Sequence, residues 1–261
     1  MDKLNKLEKR LKDLKKVAIA FSGGIDSSFL LFYANKVLGT ENVLAIIANG
    51  QMLDRKDFKS AIDFLKENNF NYKEIKFNPF EIEAFRENRE NRCYYCKKSL
   101  MSKIKEVALN NGFENILNGK NTDDSKVYRP GNKALEELEI ISPLEESDFS
   151  KNDIREHSKK MGIKFWNKPS NSCLATRFPY NTHLSEKLLK KVEISENLLK
   201  TLGIPKVRVR IHENIAKIEV EEKYFEKIIH NKNIINEIKN LGFDYITLDL
   251  NGLKSGIFDK K

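Results

Sequence analysis

The sequence contains no apolar run long enough to span a bilayer, which argues against a membrane-embedded protein. Residues 1–5 are charged and amphipathic, unlike the apolar centre of a secretory signal peptide. The 261 residues are 40% hydrophobic, so the chain can bury a full core as one large domain or two moderate ones. We therefore expect a cytoplasmic protein without a membrane partner.

Cysteine and arginine are both scarce. Only three cysteines occur, and an odd count without export signals argues against a disulfide framework and favours metal-binding or catalytic thiols. Arginine supplies ten of the 47 basic residues, while the lysines are spread along helical stretches in the manner of solvated surfaces. A net charge of +9 suits a nucleic-acid partner in principle, but arginine grips phosphate better than lysine does. The scarcity of arginine therefore argues against a nucleic-acid ligand.

The segment Ser22-Gly23-Gly24-Ile25-Asp26-Ser27-Ser28 lies between an apolar run at 17–20 and a helical pattern at 29–33. A strand, two glycines and a helix N-terminus bring backbone N–H groups and the positive end of a helix dipole to one point, which is a site for phosphate. The segment lacks the Gly-Lys-Ser/Thr of a Walker A loop and the third glycine of the dinucleotide fingerprint. It resembles the PP-loop of the ATP pyrophosphatases, which cut ATP between its α and β phosphates and place AMP on a substrate oxygen. The alternative is a serine- and glycine-rich turn capped by Asp26.

Apolar runs and helical patterns alternate along the first part of the chain. This alternation predicts an α/β fold with a parallel sheet, helices on both of its faces and a ligand site beyond the carboxyl ends of its strands. From about residue 181 the pattern changes to that of a small α+β domain, so we expect domains at 1–180 and 181–261. The first domain is predicted to have strands at 17–20, 43–48, 72–77, 115–118 and 140–144, and helices at about 54–68, 94–110 and 151–161. The second is predicted to have helices at 184–202, 223–229 and 234–241, a hairpin at 206–220 and a strand at 245–250.

The polar loop 118–131 follows the fourth predicted strand and is rich in carboxylates. Asp123 or Asp124 would reach a magnesium ion bound by the ATP phosphates, and Arg129 would face developing negative charge. The alternative is an ordinary turn in which one of the two aspartates caps a helix.

Two of the three cysteines form a Cys-x-x-Cys pair at the start of the long helix, where Cys93 and Cys96 can face one metal ion or each other. Cys173 lies in a loop of proline and small polar residues, with Arg177 close enough to favour the thiolate. Three thiolates with one open position suit an iron–sulfur cluster. The alternatives are a zinc site, which would need a fourth ligand from a histidine, and a redox couple.

In the predicted hairpin, Arg208 and Arg210 alternate along one strand and therefore share one face. Two parallel arginines form an anion clamp suited to a phosphate or a carboxylate. The alternative is a solvated strand face.

Together these residues resemble the LarE family of ATP-dependent sulfur transferases, which make the thiocarboxylates of the nickel-pincer nucleotide cofactor. The resemblance covers the whole chain, and its specific parts are the Cys-Leu-Ala-x-Arg segment at 173–177 and the Arg-x-Arg segment at 208–210. It implies that a carboxylate of a pyridinium dicarboxylate mononucleotide is adenylylated and that a sulfur nucleophile then displaces AMP. It implies Asp26 and Cys173 as catalytic residues and Arg177, Arg208 and Arg210 as the grip on the substrate phosphate. ATP with Mg²⁺ would be held by Ser22, Gly23, Gly24, Asp26, Ser27, Ser28, Asp124 and Arg129.

Family members with one cysteine at the position of Cys173 give up its sulfur and turn over once. Because this chain also has Cys93 and Cys96, it is similar to the branch in which three cysteines hold a [4Fe-4S] cluster that carries an extra sulfide. That resemblance implies a sulfide donor, repeated turnover and a ligand role for Cys173. We also expect a homo-oligomer. The rival hypotheses are a PP-loop tRNA thiolase with an iron–sulfur cluster, and a non-catalytic ATP-sensing or metal-binding protein.

Overall fold

The computed structural model describes residues 2–124, 130–164, 166–167 and 172–254. The chain forms two compact units that are interleaved once along the sequence. The first comprises Met1–Asn78 and Asn91–Asn171, and the second comprises Pro79–Glu90 and Ser172–Lys261. The division into domains after residue 180 stays a prediction; that position lies inside the second unit.

The first unit is built on a sheet of four parallel strands in the order β3-β2-β1-β4. Its strands are β1 Val17–Phe21, β2 Val43–Asn49, β3 Tyr72–Lys76 and β4 Asn115–Leu117. The predicted parallel sheet is confirmed. Because parallel strands end at the same edge, the loops that follow β1 and β4 meet there, which is the usual place for a ligand in such a sheet.

Helices connect the strands of the first unit and make up much of the second. In chain order they are α1 Lys3–Leu14, α2 Ile25–Leu38, α3 Arg55–Glu67, α4 Glu83–Arg86, α5 Arg92–Asn110, α6 Gly131–Glu137, α7 Pro143–Glu146, α8 Lys151–Lys160, α9 Glu186–Lys200, α10 Phe225–Ile229 and α11 Lys232–Lys239. The predicted helices α3, α5 and α8 are present, whereas α4, α6 and α7 were not predicted. Within the described ranges, no helix is both long enough and apolar enough to cross a membrane.

The prediction of a fifth strand at 140–144 is wrong. In this segment the sheet continues as a single bridge between Leu117 and Ile141, and Pro143 then starts α7. A proline has no N–H for a strand ladder, and its fixed φ suits the first position of a helix. The apolar run therefore turns into a helix after one bridge.

The two faces of the sheet are covered by different helices. On one face Val17, Ile19 and Phe21 join a buried cluster with residues of α1, α2 and α3. Side chains alternate along a strand, so Leu44 and Ile46 point to the opposite face, where α5 contacts β2 and buries them. With both faces covered, the carboxyl edge is the part of the sheet left for a ligand.

Helices α2 and α8 pack together through aromatic rings. The ring centroid of Phe29 lies 5.4 Å from that of Phe149 and 6.2 Å from that of His157. Phe29 and Phe149 are fully buried, and each side chain of this kind stabilises a fold by about 1.5–3 kcal/mol. This packing fixes the start of α8 beside the first turn of α2.

The second unit contains a three-stranded sheet in the order β5-β6-β7. β5 Arg208–His212 and β6 Ile215–Glu219 form the predicted antiparallel hairpin, and β7 Tyr245–Leu248 pairs in parallel with β6. Helix α9 contacts β5 and α11 contacts β7. The predicted small α+β region is therefore present.

The segment 79–90 joins the second unit although it lies between elements of the first. Asn88 is fully buried, and its Nδ2 donates to the carbonyl oxygens of Phe178 at 3.2 Å and Pro179 at 2.6 Å. The backbone N–H of Leu184 also donates to the carbonyl of Arg86 at 2.7 Å. These long-range bonds have no local sequence pattern, which is why the sequence did not predict this segment's place.

Candidate functional site

The loop between β1 and α2 needs glycine at its tightest point. Gly23 has φ +71°, and a Cβ atom there would lie 2.5 Å from the Cβ of Ala61 in α3. The loop is closed by Ser22, whose backbone N–H donates to Oγ of Ser27 at 3.3 Å and whose own Oγ lies 3.1 Å from the same atom. The backbone of the loop is therefore brought against the first turn of α2.

The first turn of α2 keeps its N–H groups available to a ligand. Gly24 is the N-cap residue and has no side chain with which to cap the helix. The hydroxyls of Ser27 and Ser28 donate to the carbonyl of Gly24 at 3.1 and 2.9 Å. Uncapped N–H groups at the positive end of a helix are suited to bind phosphate.

Asp26 lies in the same turn, and its two carboxylate oxygens have different surroundings. Oδ2 accepts a hydrogen bond from Nζ of Lys151 at 2.5 Å. Oδ1 is buried and has no hydrogen-bond partner among the described residues. Burial raises the pKa of Asp26 above its ordinary value; Lys151 opposes this rise, the Asp124 carboxylate adds to it and Arg155 opposes it. An oxygen of this kind is suited to bind a cation.

The loop lies in a cleft of about 210 Å³ at the carboxyl edge of the sheet. The cleft is lined by Ala20, Ser22, Asp26, Ser27, Lys97, Met101, Asn118, Gly119, Lys120, Asp124, Asn132 and Leu135. Gly119 approaches α2 so closely that a Cβ atom there would lie 2.8 Å from the backbone nitrogen of Ser27. The loops after β1 and β4 therefore meet, as expected from the parallel sheet.

The two neighbouring aspartates of the second loop have different surroundings. Oδ2 of Asp123 accepts the backbone N–H of Lys151 at 2.9 Å, so Asp123 serves the start of α8, as in the helix-cap alternative. Asp124 lines the cleft, and its Oδ2 accepts the N–H of Asn121 at 3.3 Å. Arg129, which we predicted beside the ATP phosphates, lies outside the described residues.

Cys93 and Cys96 lie in the first turn of α5, three residues apart on one side of the helix. Cys93 is exposed and Cys96 is half-buried. Cys173 belongs to the second unit. Among the residues that the structure describes, no three His, Cys, Asp or Glu side chains are grouped so that they could hold a metal ion. Within the first unit, Cys93 and Cys96 are thus spaced as two ligands of a metal centre can be.

Cys173 is half-buried and directly precedes a short 3-10 turn, Leu174–Arg177. Arg177 organises this turn from inside. Its Nη1 donates to the hydroxyls of Ser172 at 2.6 Å and Thr176 at 2.9 Å, and its Nε and Nη2 bond both oxygens of Glu196 at 2.7 and 3.0 Å. The side chains of Arg177 and Glu196 are each only 3% exposed.

Arg210 is also committed to a buried ion pair. Its Nε donates to Oε1 of Glu219 at 2.8 Å, and its Nη1 donates to the carbonyl of Thr176 at 2.8 Å, in the same turn that Arg177 holds. Arg208 differs because it is only half-buried, with Nη1 donating to the carbonyl of Lys254 at 2.9 Å. Burial, together with the nearby positive charges of Arg177 and Arg210, lowers the pKa of Arg208. The phosphate role of the three arginines stays a prediction.

The sequence analysis did not identify the ion-pair partners of Asp26, Arg177 and Arg210, which are Lys151, Glu196 and Glu219. Glu196 had a usable pattern, because it lies four residues after Val192 and three before Leu199, both fully buried on α9. A glutamate at such a position has to be paired inside the protein. Glu219 also had a usable pattern, because it lies opposite Arg208 in the predicted hairpin and so within reach of the arginines of β5. Lys151 offered no comparable pattern, since its partner is set by the tertiary fold.

Comparison with known proteins agrees with this arrangement. The family model described as NAD synthase matches residues 3–112, which run from α1 to the end of α5. The chain is 38% identical over 247 residues to the pyridinium-3,5-bisthiocarboxylic acid mononucleotide synthase of Lactiplantibacillus plantarum, a match that covers 94% of this chain and 90% of the relative.

Two uncharacterized proteins are similar over comparable lengths. One, from Synechocystis sp., is 34% identical over 257 residues, covering 97% of this chain and 96% of the relative. The other, from Methanocaldococcus jannaschii, is 33% identical over 253 residues, covering 96% of each chain. The similarity to the named synthase therefore extends well past the nucleotide-binding part that the NAD synthase family matches. The chain is an ATP-dependent enzyme and belongs to the LarE family of ATP-dependent sulfur transferases.

Proposed function

We propose that the protein uses ATP to activate a carboxylate of a pyridinium dicarboxylate mononucleotide and then replaces one oxygen of that carboxylate by sulfur, in nickel-pincer nucleotide cofactor biosynthesis. The observation that carries the proposal is the 38% identity over 94% of the chain to a synthase named for a bisthiocarboxylic acid mononucleotide. In the first step a carboxylate oxygen bonds to the α phosphorus of ATP and pyrophosphate leaves. In the second, a sulfur nucleophile attacks the acyl carbon and AMP leaves with the oxygen.

The cleft of the first unit supports the first step. Backbone N–H groups of the loop and the first turn of α2 would hold the ATP phosphates, with help from serine hydroxyls. Asp26 and Asp124 fit a magnesium ion, because carboxylate oxygens are ligands that it prefers and Oδ1 of Asp26 has no hydrogen-bond partner among the described residues. When bound, magnesium would neutralise the negative charge of the leaving pyrophosphate. The residues proposed to hold the nucleotide are Ser22, Gly23, Gly24, Asp26, Ser27, Ser28, Asp124 and Arg129.

The second unit supplies the proposed contact with the substrate phosphate. Arg208 is half-buried, unlike the other two arginines, and its Nη1 donates to the carbonyl of Lys254 at 2.9 Å. Arg177 and Arg210 are buried against Glu196 and Glu219, and both bond the turn that starts at Cys173. We therefore propose Arg208 as the direct contact and the other two arginines as residues that position the turn.

Cys173 is the proposed sulfur site, and two sources of sulfur are compatible with it. Either Cys173 gives up its own sulfur, or Cys93, Cys96 and Cys173 hold a [4Fe-4S] cluster that would supply sulfide from a donor. The support for the cluster is the placement of two thiols in one helical turn. Bound iron in anaerobically purified protein, lost in Cys93→Ala with ATP binding retained, would favour the cluster. Conversion of Cys173 to dehydroalanine in iron-free protein after one turnover would favour the sacrificial route.

The test is to incubate the protein with ATP, Mg²⁺, a sulfide source and the pyridinium dicarboxylate mononucleotide, and to measure pyrophosphate and the mass of the nucleotide. We expect pyrophosphate release that depends on the nucleotide, and a product in which sulfur replaces oxygen. Asp26→Ala should abolish AMP formation, and Asp124→Asn should slow it by about a hundredfold. Asp123→Asn is the matched control and should retain activity, because the amide oxygen of asparagine can still accept the backbone N–H of Lys151 at the start of α8. Release of pyrophosphate without the nucleotide, or equal losses in both Asn variants, would contradict the proposal.

A further inference from the structure

We propose that Lys151 is an internal counter-ion that neutralises Asp26 until Mg²⁺ and ATP bind, and that it then moves to the phosphates. This inference rests on the proposed function only in requiring that the cleft binds ATP with Mg²⁺. It adds a nucleotide-binding residue from α8 to a site otherwise built from the loops after β1 and β4.

The Lys151–Asp26 pair is close and remains accessible. Nζ lies 2.5 Å from Oδ2, and the two side chains are 26% and 20% exposed. A fully buried pair would be locked by the cost of separating its charges, whereas a partly solvated pair can exchange partners. The lysine is therefore placed where an arriving cation or phosphate can compete for either member of the pair.

The backbone of Lys151 is fixed by several hydrogen bonds, whereas its side chain is held only by the ion pair at its end. Ser150 and Asp153 form a capping box around the first turn of α8, and Asp123 accepts the backbone N–H of Lys151 at 2.9 Å. Lysine carries its charge on a flexible four-carbon stem. The ammonium group can therefore change partners without movement of the helix.

The charges around Asp26 give a reason for the exchange. Oδ1 of Asp26 is buried without a hydrogen-bond partner among the described residues, and Asp124 and Arg155 also act on this carboxylate. Arg155 lies one turn after Lys151 on the same side of α8. A divalent ion on Asp26 would repel the ammonium of Lys151, and the phosphates of ATP are the nearby anions that can accept it. The lysine would thus leave Asp26 when the metal arrives and then hold the nucleotide.

The test measures two affinities of Lys151→Ala by calorimetry. Mg²⁺ alone should bind several times more tightly than to the wild type, because the competing ammonium is gone. The methylene analogue of ATP that cannot be cut between the α and β phosphates should bind about tenfold or more weakly at saturating Mg²⁺, because a charged hydrogen bond is lost. Opposite changes in the two affinities are the diagnostic result, since a general structural defect would weaken both. Lys151→Gln keeps most of the side-chain length but removes the charge, so it should change both affinities as Lys151→Ala does. It replaces the alanine variant in the test if that variant does not fold.

The matched control is Lys3→Ala. Lys3 forms a similar ion pair with Asp153 at 2.6 Å, in the same turn of α8 but with a partner outside the cleft. This variant should leave both affinities unchanged. The inference is overturned if both Lys151 variants weaken the two affinities together, or if they match Lys3→Ala. If the wild type itself does not bind the analogue with Mg²⁺, the result contradicts the proposed function, on which this inference rests.

Discussion

Charged residues of the two units differ in burial and in pairing. In the cleft of the first unit, Asp26 is partly exposed and one of its oxygens has no hydrogen-bond partner among the described residues. In the second unit, Arg177 and Glu196 are each 3% exposed and bond each other through two contacts. An incompletely paired charge at a cleft is available to a ligand, whereas a buried pair mainly holds its own surroundings in place. Burial and pairing therefore separate ligand-binding charges from structural ones that look alike in a sequence.

The largest expected effect comes from breaking the buried pair of the second unit. Glu196→Gln leaves the guanidinium of Arg177 buried without its counter-charge, so we expect the free energy of unfolding to fall by about 3–5 kcal/mol. Urea denaturation measures this loss. The control is Glu67→Gln, because Glu67 pairs with Lys164 at 2.7 Å on the surface, where a lost pair costs at most about 1 kcal/mol. Similar losses in the two variants would show that burial does not distinguish these pairs.

A smaller effect is expected from the tight loop of the first unit. Gly23→Ala and Gly162→Ala both place a side chain at a positive φ, +71° and +73°, and this backbone strain alone should cost each variant about 1–2 kcal/mol of stability. At Gly162 a Cβ atom meets nothing within 4 Å, whereas at Gly23 it meets Ala61. Only Gly23→Ala should therefore also lose affinity for ATP with Mg²⁺, measured by calorimetry. An equal effect of both variants on ATP binding would contradict the assignment of ATP binding to the loop at Gly23.

The sequence predicted the features that depend on neighbouring residues and missed those that depend on contacts between distant residues. The phosphate loop was predictable because a strand, two glycines and Asp26 are adjacent in the chain, and local backbone geometry suffices. The parallel sheet was predictable from alternation of elements. The bonds between Lys151 and Asp26, and between Arg177 and Glu196, join residues 125 and 19 positions apart, and nothing local specifies them. The alternation of the hairpin strand indicated that Arg208 and Arg210 share a face, but it did not indicate that Arg210 is buried against Glu219.

The smallest expected effect concerns the anchor of α8. Burial alone would raise the pKa of Asp153, but hydrogen bonds from Lys3 and Ser150 outweigh it and lower this pKa to about 2. Because the folded pKa lies below the unfolded value of 3.8, Asp153 contributes stability above that pH, and the contribution is lost as pH falls towards about 2. Asp153→Ala should therefore cost about 1 kcal/mol at neutral pH and progressively less in acid. Unfolding measured from pH 7 to pH 2 tests this, and a pH-independent difference would contradict it.

The most direct test of the central claim follows the oxygen that leaves the substrate. When all oxygens of the mononucleotide's two carboxylates are labelled with a heavy isotope, adenylylation joins one of them to the α phosphorus, and attack by sulfur then releases it with AMP. We expect mass spectrometry to find one heavy oxygen in AMP and a thiocarboxylate in the nucleotide. Unlabelled AMP formed alongside the thiocarboxylate would show that the carboxylate is not activated by adenylylation.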